Sequence, residues 1–240
     1  MHREYVLVHG AAHGAWCWED VAKHLAANGH RVVALDLPGH GQRAAEVRRA
    51  SIATYTDAIV DAMAREGVSR GIVVGHSMGG LVIPKVAERV PARVAHLVFL
   101  AAIVVPDGGS LVGTNMTPPA RESLRAMASG RSDGAILFPA ETAWLRWMGD
   151  LPRDVAAAAL ARLTPQPLRP IVEPVPMGAF YATSVARTYV RCLRDAAVTP
   201  AKAAEYAARL GVTPIDLDCA HDAMLSKPAE VARILDHIAV

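Results

Sequence analysis

The chain has 240 residues, the length of one large α/β domain, and 52% of them are apolar, enough for a sizeable core. Its longest apolar stretch, around Val94 to Val105, is broken by His96 and falls short of the roughly 20 residues of a membrane span. A net charge of +2 with dispersed arginines argues against nucleic acid or an anionic membrane as partner, and Cys17, Cys192 and Cys219 fit neither a disulfide framework nor a zinc spacing.

The cysteine pattern leads us to expect a reducing, cytoplasmic setting, and His2-Arg3-Glu4 reads as leading straight into a strand rather than as a signal peptide. Glu4 to Val8 reads as that strand. It runs into His9-Gly10-Ala11-Ala12-His13-Gly14, a glycine-bearing loop where open α/β sheets place ligands. Trp16 to Asn28 has a helical pattern stopped by Gly29. His30 to Leu35 is a second strand, ending in the turn-rich Asp36-Leu37-Pro38-Gly39-His40-Gly41. Ser51 is placed to cap an amphipathic helix over Ile52 to Arg65, with Ile59, Val60 and Met63 on one face.

The short β-branched run Gly71 to Val74 predicts a strand buried on both faces. Helix signals follow at once and continue to about Arg89, with Pro84 early enough to distort that helix without breaking it. Between strand and helix lies Gly75-His76-Ser77-Met78-Gly79. So tight a strand–turn–helix lifts the Ser77 side chain above the sheet edge, and glycine is needed on either side because a side chain there would meet backbone. The helix start behind Ser77 favours an alkoxide or oxyanion at that spot. Val94 to Ala101 is the next strand.

Regular alternation then stops. Short helical patterns lie near Ala120–Ser129, Glu141–Met148 and Pro152–Leu163, and the five prolines from Pro165 to Pro176 exclude a regular helix or a central strand. Residues 106–186 are expected to form an inserted helical cap, leaving 1–105 and 187–240 as the core. Phe138, Trp144, Trp147, Phe180 and Tyr181 in this region either roof an apolar substrate pocket or only hold the cap to the core. Trp144, Trp147 and Phe180 are the candidate substrate contacts. Alternation resumes with a strand over Thr188 to Leu193, Asp195 just beyond it, and a helix over Pro200 to Leu210. Val212 to Leu217 is the last strand, an edge candidate because of Pro214. Pro228 to Ile238 closes the chain as a helix, with Val231, Ile234 and Leu235 inward. Six strands interleaved with helices give a parallel sheet covered on both faces.

A serine nucleophile needs a base within reach and an acid to orient that base. Among the histidines downstream of Ser77, His96 falls in a strand and His237 in the last helix. Only His221 occupies a loop at a strand's C-terminal end. Asp195, after the penultimate strand, is the candidate acid. Its rivals are Asp216 within the last strand, Asp218 too near His221 in sequence, and Asp222, which is adjacent to His221 and expected to point elsewhere. The oxyanion donors are the Met78 amide and, from the first loop, that of Ala11, with Gly10 allowing the backbone close to the substrate. His13, His40 and His76 read as structural loop histidines, and no metal-ligand set is expected.

These residues resemble the α/β-hydrolase superfamily, and within it the branch of plant methylesterases, salicylate-binding esterases and hydroxynitrile lyases with their bacterial relatives. The matching pieces are Val6-Leu7-Val8-His9-Gly10-Ala11-Ala12-His13-Gly14-Ala15-Trp16, Ala34-Leu35-Asp36-Leu37-Pro38-Gly39-His40-Gly41, Gly75-His76-Ser77-Met78-Gly79-Gly80, Phe99-Leu100-Ala101-Ala102 and Ala220-His221-Asp222-Ala223-Met224-Leu225-Ser226. They cover both ends of the chain and match the cap weakly. The resemblance implies a six-stranded parallel core, a small helical cap, Ser77, Asp195 and His221 as a triad, and Ala11 and Met78 as oxyanion donors. It also implies no cofactor, and homodimers are frequent in the family.

Two positions depart from the pattern. Hydroxynitrile lyases of this branch carry threonine in place of Gly10 and lysine in place of Asp222, and an acid there cannot stabilise departing cyanide. Plant methylesterases tend to carry methionine in place of Asp222, so their particular substrates are not carried over. The expected activity is cofactor-independent hydrolysis of a carboxylic ester of a small, largely apolar molecule through an acyl-enzyme. Lactone opening, C–C cleavage or lyase chemistry could use the same triad, and a non-catalytic small-molecule receptor could use the same fold. Dehalogenase and epoxide hydrolase chemistry needs a carboxylate where Ser77 stands.

Overall fold

The computed structural model describes residues 2–239. Its first four strands are β1 (Glu4–Val8), β2 (Arg31–Leu35), β3 (Gly71–His76) and β4 (Val94–Leu100). After β4 the chain makes a small antiparallel pair, β5 (Ala135–Ile136) with β6 (Gln166–Pro167). It then returns to the main sheet as β7 (Ala186–Cys192) and β8 (Ile215–Leu217). The six-stranded sheet has the order β2-β1-β3-β4-β7-β8, and every neighbouring pair is parallel.

The two-residue period of the strands divides the core between two faces. Val6, Val8, Val73, Leu97 and Phe99 pack on one side with Ile59, Met63, Leu81 and Val86 from the helices Ile52–Arg65 and Gly79–Arg89. Tyr5, Leu7, Ile72, Val74, Val98 and Leu100 pack on the other with Trp18, Val21, Leu25 and Leu235. Those partners come from a short 3-10 turn and the helices Glu19–Ala27 and Pro228–Asp236. β3 is buried along its whole length, as a central strand covered on both faces must be.

Local chemistry sets the element ends. The Ser51 hydroxyl accepts the Thr54 amide while Thr54 Oγ1 accepts the Ser51 amide, a reciprocal cap on the helix Ile52–Arg65. The helix Gly79–Arg89 runs through Pro84 without ending. The first helix differs from the expected Trp16–Asn28 by opening with the 3-10 turn Ala15–Trp18, where Asp36 Oδ1 accepts the Ala15 amide at 2.7 Å. β8 begins only after Pro214, shorter than Val212–Leu217, and is the sheet edge. Proline lacks the amide that would extend the ladder.

Between β4 and β7 lie the helices Leu111–Asn115, Pro118–Ser129, Ala140–Trp147, Arg153–Leu160, Arg169–Val172 and Gly178–Tyr181. The proline-rich stretch is more ordered than its composition suggests. It contributes β6 and one helical turn, with Pro170 in the first turn where no amide is required. No helix among the described residues is long and apolar enough to cross a membrane.

Candidate active site

β3 delivers the chain to Ser77, whose φ of 51° lies in the left-handed region. The flanking glycines make that turn possible. A Cβ on Gly75 would lie 2.8 Å from the Gly79 carbonyl oxygen, and one on Gly79 would lie 3.1 Å from that of Val8. Gly80 is tighter still, against the Ile103 carbonyl. The Ser77 amide donates to Leu100 O at 3.2 Å, and Ser77 O accepts from the Gly80 and Ile103 amides, both at 3.0 Å. The strained turn is thereby pinned to the end of β4.

β7 and β8 are neighbours, so the loops beyond them meet. His221 Nδ1 lies 2.6 Å from Asp195 Oδ2. Asp195 Oδ1 accepts the amides of Ala197 and Val198 at 2.7 and 2.8 Å. A carboxylate held by those donors accepts a hydrogen bond from Nδ1–H of His221, which leaves Nε2 with the free lone pair. Burial disfavours the imidazolium, but the Asp195 charge and hydrogen bond, helped by Asp222, outweigh it and hold His221 above the ordinary histidine value. The rival acids are elsewhere: Asp216 pairs with Arg191 through two 2.7 Å bonds, and Asp218 with Arg194 at 2.8 Å. Ser77 and His221 line one cavity. Their side chains share no hydrogen bond among the described residues.

The loop after β1 is fixed by its own histidines. His9 Nε2 accepts the Leu37 amide at 3.1 Å, so Nδ1 carries the proton and donates to Gly10 O at 2.8 Å. Holding that carbonyl turns the Ala11 amide, on the opposite edge of the same trans peptide, the other way. Ala11 lines the cavity, whereas the Met78 side chain is wholly buried. Gly10 contributes no wall. A Cβ there would lie 2.8 Å from both His76 Nδ1 and Ser77 Cβ.

The cavity above Ser77 measures about 330 Å³ and is lined mainly by apolar groups, among them Ile103, Leu111, Leu124, Phe138, Trp147, Ile171 and Val198. That is the size range of a small-molecule site. Of the three expected aromatic contacts only Trp147 lines it. Trp144 faces the Arg153 guanidinium, 3.5 Å from its ring centroid, and Phe180 is buried against Phe99 with ring centroids 6.3 Å apart. Tyr181 likewise anchors the insertion, its hydroxyl donating to Val105 O. The insertion's rings therefore divide between the two expected roles, with Phe138 and Trp147 on the cavity. Arg146 and Asn115 also line it. Nothing in their spacing distinguishes them from other surface positions.

Asp222 does point away from Asp195, into a buried cluster. Its Oδ2 accepts from His13 Nε2 at 3.0 Å, and Oδ1 lies 3.7 Å from His76 Nε2, which itself donates to His221 O at 3.1 Å. His13, read from the sequence as structural, both joins this cluster and lines the cavity. Burial, then the neighbouring His221, pushes His76 down to about 3, so its ring is neutral. His76, His221 and Asp222 are the one group among the described residues with ligand atoms close enough to share a metal, all within 4.8 Å. Three of their ligand atoms are already engaged: His76 Nε2 by the His221 carbonyl, His221 Nδ1 by Asp195 and Asp222 Oδ2 by His13.

A model of the alpha/beta hydrolase family matches residues 5–234. Esterase PIR7B from Oryza sativa subsp. japonica is 39% identical over 129 residues, covering 52% of this chain and 46% of that one. The matches span about half the length of the curated relatives. A pyrethroid hydrolase from Sphingobium faniae JZ-2 superposes with a TM-score of 0.81 at 26% identity, covering 98% of this chain and 96% of its own. An extracellular alpha/beta-hydrolase from a Paenibacillus species, which shares structural and functional homology with tobacco Salicylic Acid Binding Protein 2, superposes with a TM-score of 0.90. It is 23% identical, with 97% of each chain covered, and this likeness is one of fold.

Proposed function

The chain belongs to the alpha/beta hydrolase family, and from that premise we propose that it is a serine hydrolase cleaving a carboxylic ester of a small, largely apolar molecule. The observation that carries the reading is the 2.6 Å His221–Asp195 pair beside Ser77 on one apolar cavity. His221 Nε2 takes the Ser77 proton as Oγ attacks the ester carbonyl. The Ala11 and Met78 amides receive the oxyanion. His221 then protonates the leaving alcohol, and water, activated by the same imidazole, releases the acid from the acyl-enzyme. Asp195 keeps the ring oriented and stabilises it while charged. The relatives named as esterases support ester cleavage. In this reading residues 106–186 act as a cap that sizes the substrate, and no metal or cofactor takes part.

A hydroxynitrile lyase is a weaker fit. Asp222 is committed to His13, and the space at Gly10 is too small for threonine. Three buried, unpaired cysteines suit the reducing cytoplasm proposed for the chain.

A fluorophosphonate probe tests the nucleophile. Mass spectrometry should place one adduct on Ser77, and none should form in Ser77→Ala. An adduct at another residue, or none on the folded wild type, would overturn the assignment.

A further inference from the structure

Gln166 is fully buried, although it belongs to the insertion and not to the core. Its orientation is fixed by two partners of unambiguous polarity. The Ala12 amide can only donate, so the atom 2.9 Å from it is Oε1; the Pro167 carbonyl can only accept, so the atom 2.8 Å from it is Nε2. Oε1 also faces His40 Nε2 at 3.0 Å, and Nε2 also faces Met78 Sδ at 3.5 Å. Burial holds His40 down at about 4, so its ring is neutral and donates from Nε2. The side chain thus bridges the loop that carries Ala11 and the residue that follows Ser77.

The grip on Ala12 matters because Ala12 has a φ of 63°, a conformation non-glycine residues adopt only when held. The Thr164 amide donates to Ala12 O at 2.8 Å, so residues 164 and 166 clasp Ala12 from both its polar edges. His13 Nδ1 donates to Ala11 O at 2.8 Å, fixing the same peptide plane from the other side. The Ala11 amide is placed by this frame.

We infer that Gln166 is a positioning residue for the oxyanion hole, locking the Ala11 loop and Met78 in one geometry through a single buried amide. This rests on the serine-hydrolase reading, in which those two amides receive the oxyanion. An amide side chain accepts at one end and donates at the other. Gln166→Glu keeps the shape and the acceptor to Ala12 but turns a second oxygen toward Pro167 O and Met78 Sδ. Gln166→Leu removes both ends. Neither change touches Ser77, His221 or the cavity wall.

The test compares wild type, Gln166→Glu, Gln166→Leu and Met78→Leu on one p-nitrophenyl ester, together with inhibition by a trifluoromethyl ketone that forms a tetrahedral oxyanion adduct. The Gln166 variants should lose roughly 10- to 100-fold in kcat with KM within about 3-fold, since a small misplacement of the donors weakens only the transition state. Their ketone Ki should rise in proportion to the loss in kcat/KM. Met78→Leu, which keeps the backbone donor, should lose about 2- to 5-fold on the same line. Fluorophosphonate labelling of folded wild type at Ser77 keeps the underlying reading separate. If Ser77 labels and the wild type turns over, but a folded Gln166 variant retains wild-type kcat and ketone Ki, the positioning role is wrong. A loss confined to KM or melting temperature would also overturn it. If Gln166→Leu does not fold, Gln166→Glu and Met78→Leu decide the matter by the same proportionality.

Discussion

Asp222 Oδ2 lies 3.0 Å from His13 Nε2, and the two residues are 1% and 2% exposed. His13 Nδ1 faces the Ala11 carbonyl at 2.8 Å. Both ring nitrogens therefore meet acceptors, and the two groups form a buried pair. Burial opposes ionisation of Asp222, but the His13 charge and hydrogen bond overcome it and hold the carboxyl below the usual range. Asp222→Asn removes the charged acceptor of this buried pair, so it should cost about 3–5 kcal/mol in urea unfolding at neutral pH. The sign with pH follows: the stabilisation is present above the unfolded carboxyl value near 4 and disappears as pH falls through the lower folded value. A cost below about 1 kcal/mol would mean that the pair is not charged.

The pH profile reports on His221. In the proposed mechanism it must be neutral to accept the Ser77 proton, so kcat/KM should fall as pH drops. Because Asp195 raises His221, the acid limb should inflect above the ordinary value of about 6.5. Asp195→Asn should lower kcat by the order of 10⁴ and move the inflection down. An unchanged inflection in that variant would separate Asp195 from the titration.

Gly10 is a steric requirement. His76, one of the groups its Cβ would strike, is pinned by the His221 carbonyl and cannot swing aside cheaply. Gly10→Ala should reduce kcat/KM by roughly 10-fold or more and cost about 1–3 kcal/mol in stability, as overpacking does. Kinetics and melting curves equal to wild type would show that the loop has slack.

The two tryptophans of the helix Ala140–Trp147 should behave differently. Trp147→Ala enlarges the cavity and should shift preference toward longer acyl chains, read as the ratio of kcat/KM for long and short esters. Trp144→Ala lies off the cavity and should leave that ratio within about 2-fold. A shift of equal size in both variants would contradict the assigned lining.

These contrasts mark where sequence patterns stop being informative. The elbow is legible because its backbone path admits only glycine at Gly75 and Gly79. The meeting of Asp195 and His221 is legible because each follows a strand end and a parallel sheet brings those ends together. Trp144 and Trp147 are three residues apart on one helix, so periodicity puts them on neighbouring faces and cannot say which looks inward. Gln166–Ala12 and Asp222–His13 join residues 154 and 209 positions apart. No local signal carries them, though a glutamine between Pro165 and Pro167 and an acid following His221 are the places where they were to be found.

Hydrolysis of p-nitrophenyl esters of increasing chain length, with Ser77→Ala measured alongside wild type, tests the central claim most directly. Wild type should turn over the esters with a chain-length optimum set by the cavity of about 330 Å³, and folded Ser77→Ala should lose at least ~10³-fold in kcat. A folded Ser77→Ala protein hydrolysing the same esters at near wild-type rates would contradict the account.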